Sequence, residues 1–117
     1  MPFKFENLQI WQLAIEISLE IHKLKRNFPK EELFILTSQI KRATDSIALN
    51  IAEGSTGQSN AEQKKFLGYA QRSAIEVVSC LFIGKKRSLI SDADFHIHYN
   101  SLDKLVAKIQ KFKNSIN

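Results

Sequence analysis

Apolar residues recur every three or four positions along most of the chain, which is the spacing of helices that bury one face. The pattern is interrupted at three places and so predicts four helices, over about residues 8–27, 30–54, 59–87 and 91–113. Pro29 ends the first helix, because proline disfavours the helical conformation of its predecessor. Ser59 with Glu62 predicts a capping box at the start of the third helix. Long helices with short connections are typical of one all-α domain, residues 1–117, folded as an antiparallel up-down-up-down four-helix bundle.

Each predicted helix has one apolar stripe that we expect to face the core. The stripes are Ile10, Leu13, Ala14, Ile17, Ile21 and Leu24; Leu33, Leu36, Ile40, Ala43, Ile47 and Ile51; Phe66, Leu67, Ala70, Ala74, Val77 and Leu81; and Phe95, Tyr99, Leu102, Leu105, Val106, Ile109 and Phe112. The first and third helices carry further apolar residues, namely Leu8, Trp11, Ile15, Leu19, Ile75, Val78 and Phe82. These either wrap around a small core or form an interface between copies of the chain. We favour a homo-oligomer, whose symmetry the pattern does not define.

The chain is basic, with 17 Lys and Arg against 12 Asp and Glu, a formal net charge of +5. Such an excess favours encounter with polyanions. A single cysteine excludes a disulfide framework and a cysteine-based zinc site. No uninterrupted apolar run of membrane-spanning length occurs and the first residues do not resemble a signal peptide. We therefore expect a cytoplasmic protein without a membrane partner.

The second predicted helix contains the most specific motif of the sequence. Gln39-Ile-Lys-Arg-Ala43 followed by Ser46-Ile-Ala-Leu-Asn50-Ile-Ala-Glu-Gly54 resembles the signature of the four-helix-bundle family named for 23S rRNA intervening-sequence proteins. Three further stretches resemble that family: Phe5-Glu-Asn-Leu8-Gln-Ile-Trp11-Gln-Leu-Ala14, Phe66-Leu67 with Ala70, and Ser73 with Glu76.

The resemblance implies a small bacterial helix bundle that assembles into a ring-like homopentamer. The biochemical role of the family is poorly defined, since its name records where its genes were found. The fold is also similar to the accessory variability protein of diversity-generating retroelements, which works with nucleic acid and a reverse transcriptase. The chain departs from the family pattern at Arg72, where glycine is common, and at 55–58, which lacks the usual aromatic residue and arginine.

A line of polar residues runs beside the apolar stripe of the second helix and faces a similar line on the third. Its members are Gln39, Ser46, Asn50 and Glu53, and, on the third helix, Ser73 and Glu76. Their steps of three and four residues place them on one flank of each helix. Such a flank can be a hydrogen-bond network, which fixes the register of the helices or a contact between subunits. The alternative is a groove that binds a ligand. We favour the network, because half-buried polar groups normally bond to one another.

The sequence contains no arrangement typical of catalysis or metal binding. It has no Glu-x-x-His, and His96 and His98 lie about 200° apart on a helix, so they do not share one ion. Cys80 has apolar neighbours and is expected to be a small buried residue. Gly54-x-x-Gly57 lacks the Gly-Lys-Ser/Thr of a phosphate loop and is expected to be a helix end. We expect no enzymatic activity, no cofactor and no metal.

Basic residues cluster at three places on the predicted helices. The candidate nucleic-acid contacts are Lys41, Arg42, Lys85, Lys86, Arg87, Lys104, Lys108 and Lys111. A ring of five copies would repeat these faces around one axis and bind phosphates of RNA or DNA without reading sequence. The alternative function is an oligomeric scaffold for a protein partner, with the basic charge serving solubility.

Overall fold

The computed structural model describes residues 3–117, which form four α-helices and three short helical turns. The helices are α1 (Gln9–Lys25), α2 (Ser38–Gly54), α3 (Asn60–Lys86) and α4 (Asp92–Asn114). Two 3₁₀ turns span Lys4–Asn7 and Lys30–Glu32, and a π-helical segment spans Leu33–Thr37. No β-strand occurs within 3–117, so the fold class is all-α.

Side-chain caps begin the last two helices. The Ser59 hydroxyl accepts a hydrogen bond from the Glu62 amide at 3.0 Å, which is the forward bond of the predicted capping box. Ser91 does the same for the Asp94 amide at 3.1 Å, and Asp92 and Asp94 lie in the first turn of α4. Each cap satisfies an amide that has no partner within its own helix.

The core forms where the four apolar stripes meet. The buried side chains of α1–α4 include Ile10, Ile21, Ile40, Ile47, Ile51, Leu67, Val77, Leu81, Leu102, Leu105 and Ile109. Three buried polar residues were not predicted, Thr44, Ser55 and His98. Thr44 needs no outside partner, because its hydroxyl donates to the Ile40 carbonyl at 2.6 Å.

Two residues predicted to be buried are exposed. Leu33 is 50% exposed because it lies in the π-helical segment, whose wider turn rotates it away from the stripe of α2. The sequence predicted a regular helix from Lys30, whereas α2 begins at Ser38. Tyr99 is exposed because Phe95 occupies the core position beside it, and Tyr99 lies against Phe95 with ring centroids 5.6 Å apart.

Neighbouring helices contact one another in antiparallel order: as the residue number rises along one helix, the number of its partner falls along the next. Between α2 and α3 the pairs are Gln39–Glu76, Ser46–Ser73 and Gly54–Phe66, and between α3 and α4 they are Lys85–Asp92 and Gln71–Gln110. The two helices α2 and α3 approach closely at the end of α2, where Gly54 has no side chain. A β-carbon built on Gly54 would lie 2.9 Å from the β-carbon of Phe66.

Helix α3 is long and apolar enough to meet the length and composition criteria of a membrane span, with a mean hydropathy of 1.2 over 18 residues. Core helices of soluble proteins meet the same criteria. In this fold α3 packs on α2 and α4 through fully buried residues such as Ala74 and Leu81, and its sequence is interrupted by Arg72 and Glu76. We therefore describe α3 as a core helix.

Candidate functional site

The polar seam between α2 and α3 consists of Gln39, Ser46, Asn50, Ser73 and Glu76. The Gln39 amide donates to the Glu76 carboxylate, and the hydroxyls of Ser46 and Ser73 are 2.8 Å apart. Asn50 Nδ2 donates to the Ser46 carbonyl at 2.8 Å and to its hydroxyl at 2.9 Å. Because these groups bond to one another, the seam is suited to holding the two helices in register. Within residues 3–117, five of the six polar residues predicted for this flank belong to the bonded group, and the sixth, Glu53, lies outside it. Gln39, Glu53 and Glu76 are exposed.

Two of the eight basic candidates already have partners in the structure. Arg87 Nη1 lies 3.0 and 3.3 Å from the two carboxylate oxygens of Glu32, which joins the end of α3 to the turn before α2. Lys85 Nζ lies 3.8 Å from Asp92 and 4.6 Å from the ring centre of Phe95. These two residues stabilise the end of the bundle and have less charge available for a ligand.

The α4 basic face consists of Lys104, Lys108 and Lys111, which are all exposed. Among residues 3–117, no carboxylate forms a salt bridge with any of the three. Lys108 and Lys111 border a cleft of about 400 Å³ that Asn7 and Gln9, two residues with amide side chains, also line. The face therefore combines unpaired positive charge with neutral hydrogen-bond donors.

The α1–α2 groove is a second basic feature, lined by Ile15, Ser18, Leu19, Ile21, His22, Lys25, Lys41, Thr44 and Asp45, with a volume of about 300 Å³. Lys41 was a candidate from the sequence, whereas His22 and Lys25 were not. The pKa of His22 is lowered, chiefly by the charge of Lys25, with smaller effects of desolvation, Arg26 and Lys41. The sequence signal was the spacing of His22, Lys25 and Arg26 on one helix, but their proximity to Lys41 depends on helix packing.

The remaining basic candidates, Arg42 and Lys86, are exposed on α2 and α3. In the part of the chain that the structure describes, neither forms a salt bridge. They add to the positive surface but border none of the clefts described above.

The extra apolar residues of α1 and α3 divide into two groups. Leu8, Trp11 and Val78 are half-buried and pack against the core, as expected if extra apolar residues wrap around a small core. Ile15, Leu19, Ile75 and Phe82 remain exposed, Ile75 at 61% and Phe82 at 52%. Phe34 in the π-helical segment is 90% exposed and was not identified from the sequence, because a regular helix was predicted there. The outer surface therefore offers apolar residues on α1, α3 and the π-helical segment.

A further groove of about 220 Å³ between α1 and α4 contains the buried side of His98, between an acidic wall with Glu16 and Glu20 and a basic wall with Lys104 and Lys108. Burial lowers the pKa of His98, and the nearby charges of Asp94 and Glu20 oppose that effect.

The histidines, the cysteine and the carboxylates are dispersed over the fold. Within the described residues, no three such side chains lie close enough together to hold a metal ion. Cys80 is buried, and burial followed by the charge of Glu76 raises the pKa of its thiol, so little of the reactive thiolate forms at neutral pH.

The fold and these surfaces define a small all-α protein with four helices and with basic and apolar residues on their outer faces. The family model of the 23S rRNA-intervening sequence protein matches residues 6–111, which is nearly the whole chain. The chain therefore belongs to the 23S rRNA-intervening sequence protein family, and the resemblance identified from the motif over 39–54 is confirmed. No curated protein matches the chain.

Proposed function

We propose that the protein is a non-enzymatic, cytoplasmic RNA-associated protein that binds phosphates through the α4 basic face. We further propose that its helices form an up-down-up-down bundle and that five copies assemble into a ring. The opposite order of the contacts between α2 and α3 and between α3 and α4 supports the topology. The pentamer rests on the resemblance alone.

The unpaired row of Lys104, Lys108 and Lys111 is the observation that carries the RNA proposal. Steps of four and three residues place the three ammonium groups along one side of α4. Lysine is a flexible point charge that binds phosphate without demanding one geometry. Asn7 and Gln9 in the adjoining cleft supply donors of the kind that position a phosphate backbone. Among the residues that the structure describes, Phe112 is the one aromatic residue lining this cleft, so we expect binding with little dependence on base sequence.

The proposal is tested with the triple variant Lys104→Gln, Lys108→Gln and Lys111→Gln. RNA binding is measured by anisotropy on a structured RNA and a duplex at several salt concentrations. Each phosphate contact contributes about −0.7 to −0.9 to the slope of log K against log salt, so the slope should become shallower by about 2 to 3. Weaker affinity at low salt should accompany this change.

The matched control is Lys23→Gln, Lys30→Gln and Lys65→Gln, three exposed lysines outside the α4 basic face. Both variants remove three charges and lower the formal net charge from +5 to +2. Equal losses in the two would mean that overall charge, and not this face, attracts RNA. Absence of wild-type binding at low salt would refute the RNA function.

A second candidate function is an oligomeric scaffold for a protein partner, and the exposed apolar residues of α3 favour it. Ile75 and Val78 border a groove of about 160 Å³ with Tyr99 and Val106 of α4, and Phe82 lies beside it with its ring 6.2 Å from that of Tyr99. An apolar face of this kind on a small protein is typical of an interface. Binding to it should change little between low and physiological salt, unlike binding to phosphate.

Sedimentation equilibrium tests the assembly. Five chains of 13.4 kDa would give 67 kDa, and the double variant Ile75→Glu and Phe82→Glu should lower this mass. The exposure of both side chains means that the fold should persist, which far-UV circular dichroism checks. A wild-type mass of one chain would refute the assembly.

A further inference from the structure

We propose that the α1–α2 groove is a second RNA site, which takes one unpaired nucleotide, with its phosphate on His22, Lys25 and Lys41 and its base on the aliphatic floor. The inference rests on the proposed RNA function and adds to it a site on the side of α1 that faces α2. The α4 basic face is a row of charges, whereas this groove is a cavity with both a charged part and an apolar part.

The charges come from two helices and meet at the imidazole of His22. Lys25 and Arg26 follow His22 on α1, with Arg26 Nη2 at 3.4 Å from His22 Nε2, and Lys41 reaches the same place from α2. Asp45 is the one carboxylate of the lining, and its Oδ1 accepts the Ser18 hydroxyl at 2.8 Å. Among the described residues that line the groove, two lysines and a titratable imidazole thus outnumber one carboxylate that already has a hydrogen-bond partner, and Arg26 adds a third cation beside His22. The complementary ligand is an anion.

The size and the floor of the groove select among anions. Ile15 and Leu19 are about half exposed at the groove, and Ile21 lies beneath them. A volume of about 300 Å³ is at the lower end of the range for small-molecule sites. Such a space holds one nucleotide and excludes a base-paired stretch. Single-stranded loops and bulges of RNA present unpaired bases of this kind.

Binding of a phosphate should be coupled to a proton at His22. Lys25, Arg26 and Lys41 disfavour the imidazolium in the free protein, and Asp45 partly offsets them. A bound phosphate adds negative charge at the same place and therefore favours the imidazolium. The pKa of His22 should rise on binding, and affinity should increase as the pH falls through the range in which histidine titrates.

The test follows the imidazole resonances of His22 by NMR in the full chain, with adenosine 5′-monophosphate and inorganic phosphate as separate probes. We expect the nucleotide to raise the pKa of His22 and to bind more tightly than phosphate, because the base covers the aliphatic floor. Lys25→Gln with Lys41→Gln should weaken nucleotide binding about tenfold. The control, Lys23→Gln with Lys30→Gln, removes the same charge outside the groove and should leave binding unchanged. Equal affinity for the two probes, or equal losses in the two variants, would overturn the inference.

RNA titrations separate this inference from the function on which it rests. The groove variant should lose affinity for single-stranded RNA but keep its affinity for a duplex, whereas the α4 triple variant should weaken both. If the α4 variant weakens RNA binding and the groove variant does not, the groove assignment is wrong and the RNA function stands. If the nucleotide binds and RNA does not, both are wrong. Imidazole resonances and a pKa of His22 that stay unchanged in the presence of every probe would also overturn the groove site. This result is expected if a second copy of the chain covers Ile15 and Leu19.

Discussion

Replacement of Gly54 by alanine tests whether the close approach of α2 and α3 depends on a missing side chain. The added β-carbon would lie 2.9 Å from the β-carbon of Phe66 and 3.3 Å from the carbonyl oxygen of Gln63. Carbon atoms pack best at about 3.5–4.0 Å, so the helices must separate by about half an ångström or more. Neither neighbouring atom is the free end of a flexible side chain, and α3 must therefore move as a whole at this point.

The expected loss of stability is the difference between two opposing effects. Overpacking of a well-packed site costs about 1–3 kcal/mol. Alanine is favoured over glycine by up to about 1 kcal/mol within a helix, and Gly54 is the last residue of α2, where the gain is smaller. We expect Gly54→Ala to lower the free energy of unfolding by about 1–2 kcal/mol and Tm by roughly 5 °C or more. Urea denaturation at a fixed protein concentration measures the change in the free energy of unfolding.

Gly68→Ala is the matched control on α3. Its added β-carbon would meet only the Lys113 ammonium, at 3.6 Å, which is an ordinary contact. In the middle of a helix this change should stabilise the protein by up to about 1 kcal/mol. A Gly54→Ala protein as stable as the wild type, or a similar effect of the two substitutions, would refute the packing argument.

Two further predictions concern a buried and a half-buried polar group, His98 and Asn50. Burial lowers the pKa of His98, so the unfolded chain takes up a proton first as the pH falls below about 6.5, and the free energy of unfolding should decrease there. His98→Gln should make urea midpoints less dependent on pH over that range. An unchanged dependence would contradict the role given to His98. Asn50→Ala removes two hydrogen bonds of the polar seam and should lower the free energy of unfolding by about 1–2 kcal/mol. Glu53→Ala, at an exposed residue outside the seam, should change it by about 0.5 kcal/mol or less. Equal effects of the two variants in urea denaturation would contradict the role given to the seam.

The helices were largely predictable because their signals are local. Periodicity identified the buried stripes, and Ser59 marked the start of α3 through a side chain that bonds three residues away. The prediction failed at Leu33 and Tyr99 for reasons that the apolar spacing does not contain. Leu33 is exposed because the π-helical segment has more residues per turn than the regular helix that was predicted. Tyr99 is exposed because Phe95 occupies the adjoining core position.

The candidate surfaces were predictable residue by residue but not as assemblies. The lysine row of α4 lies on one helix, so its spacing alone places the three charges together. The α1–α2 groove joins His22 to Lys41, and their proximity depends on how two helices pack. Arg87 and Lys85 illustrate the converse, because charge alone made them candidates and only the fold brings Glu32 and Asp92 to them.

The π-helical turn at Leu33–Thr37 has a consequence for the length of the chain. A π-helical turn contains one residue more than an α-helical turn, and it is followed directly by Ser38 at the start of α2. Deletion of one residue, Ile35 for example, would allow the α-helix to continue back to Leu33 while every residue from Ser38 onward keeps its neighbours. Phe34 would then point in a new direction, since each residue of an α-helix turns by about 100°. The direction of the most exposed aromatic side chain can thus change through a single deletion that leaves the packing of α2 from Ser38 onward intact.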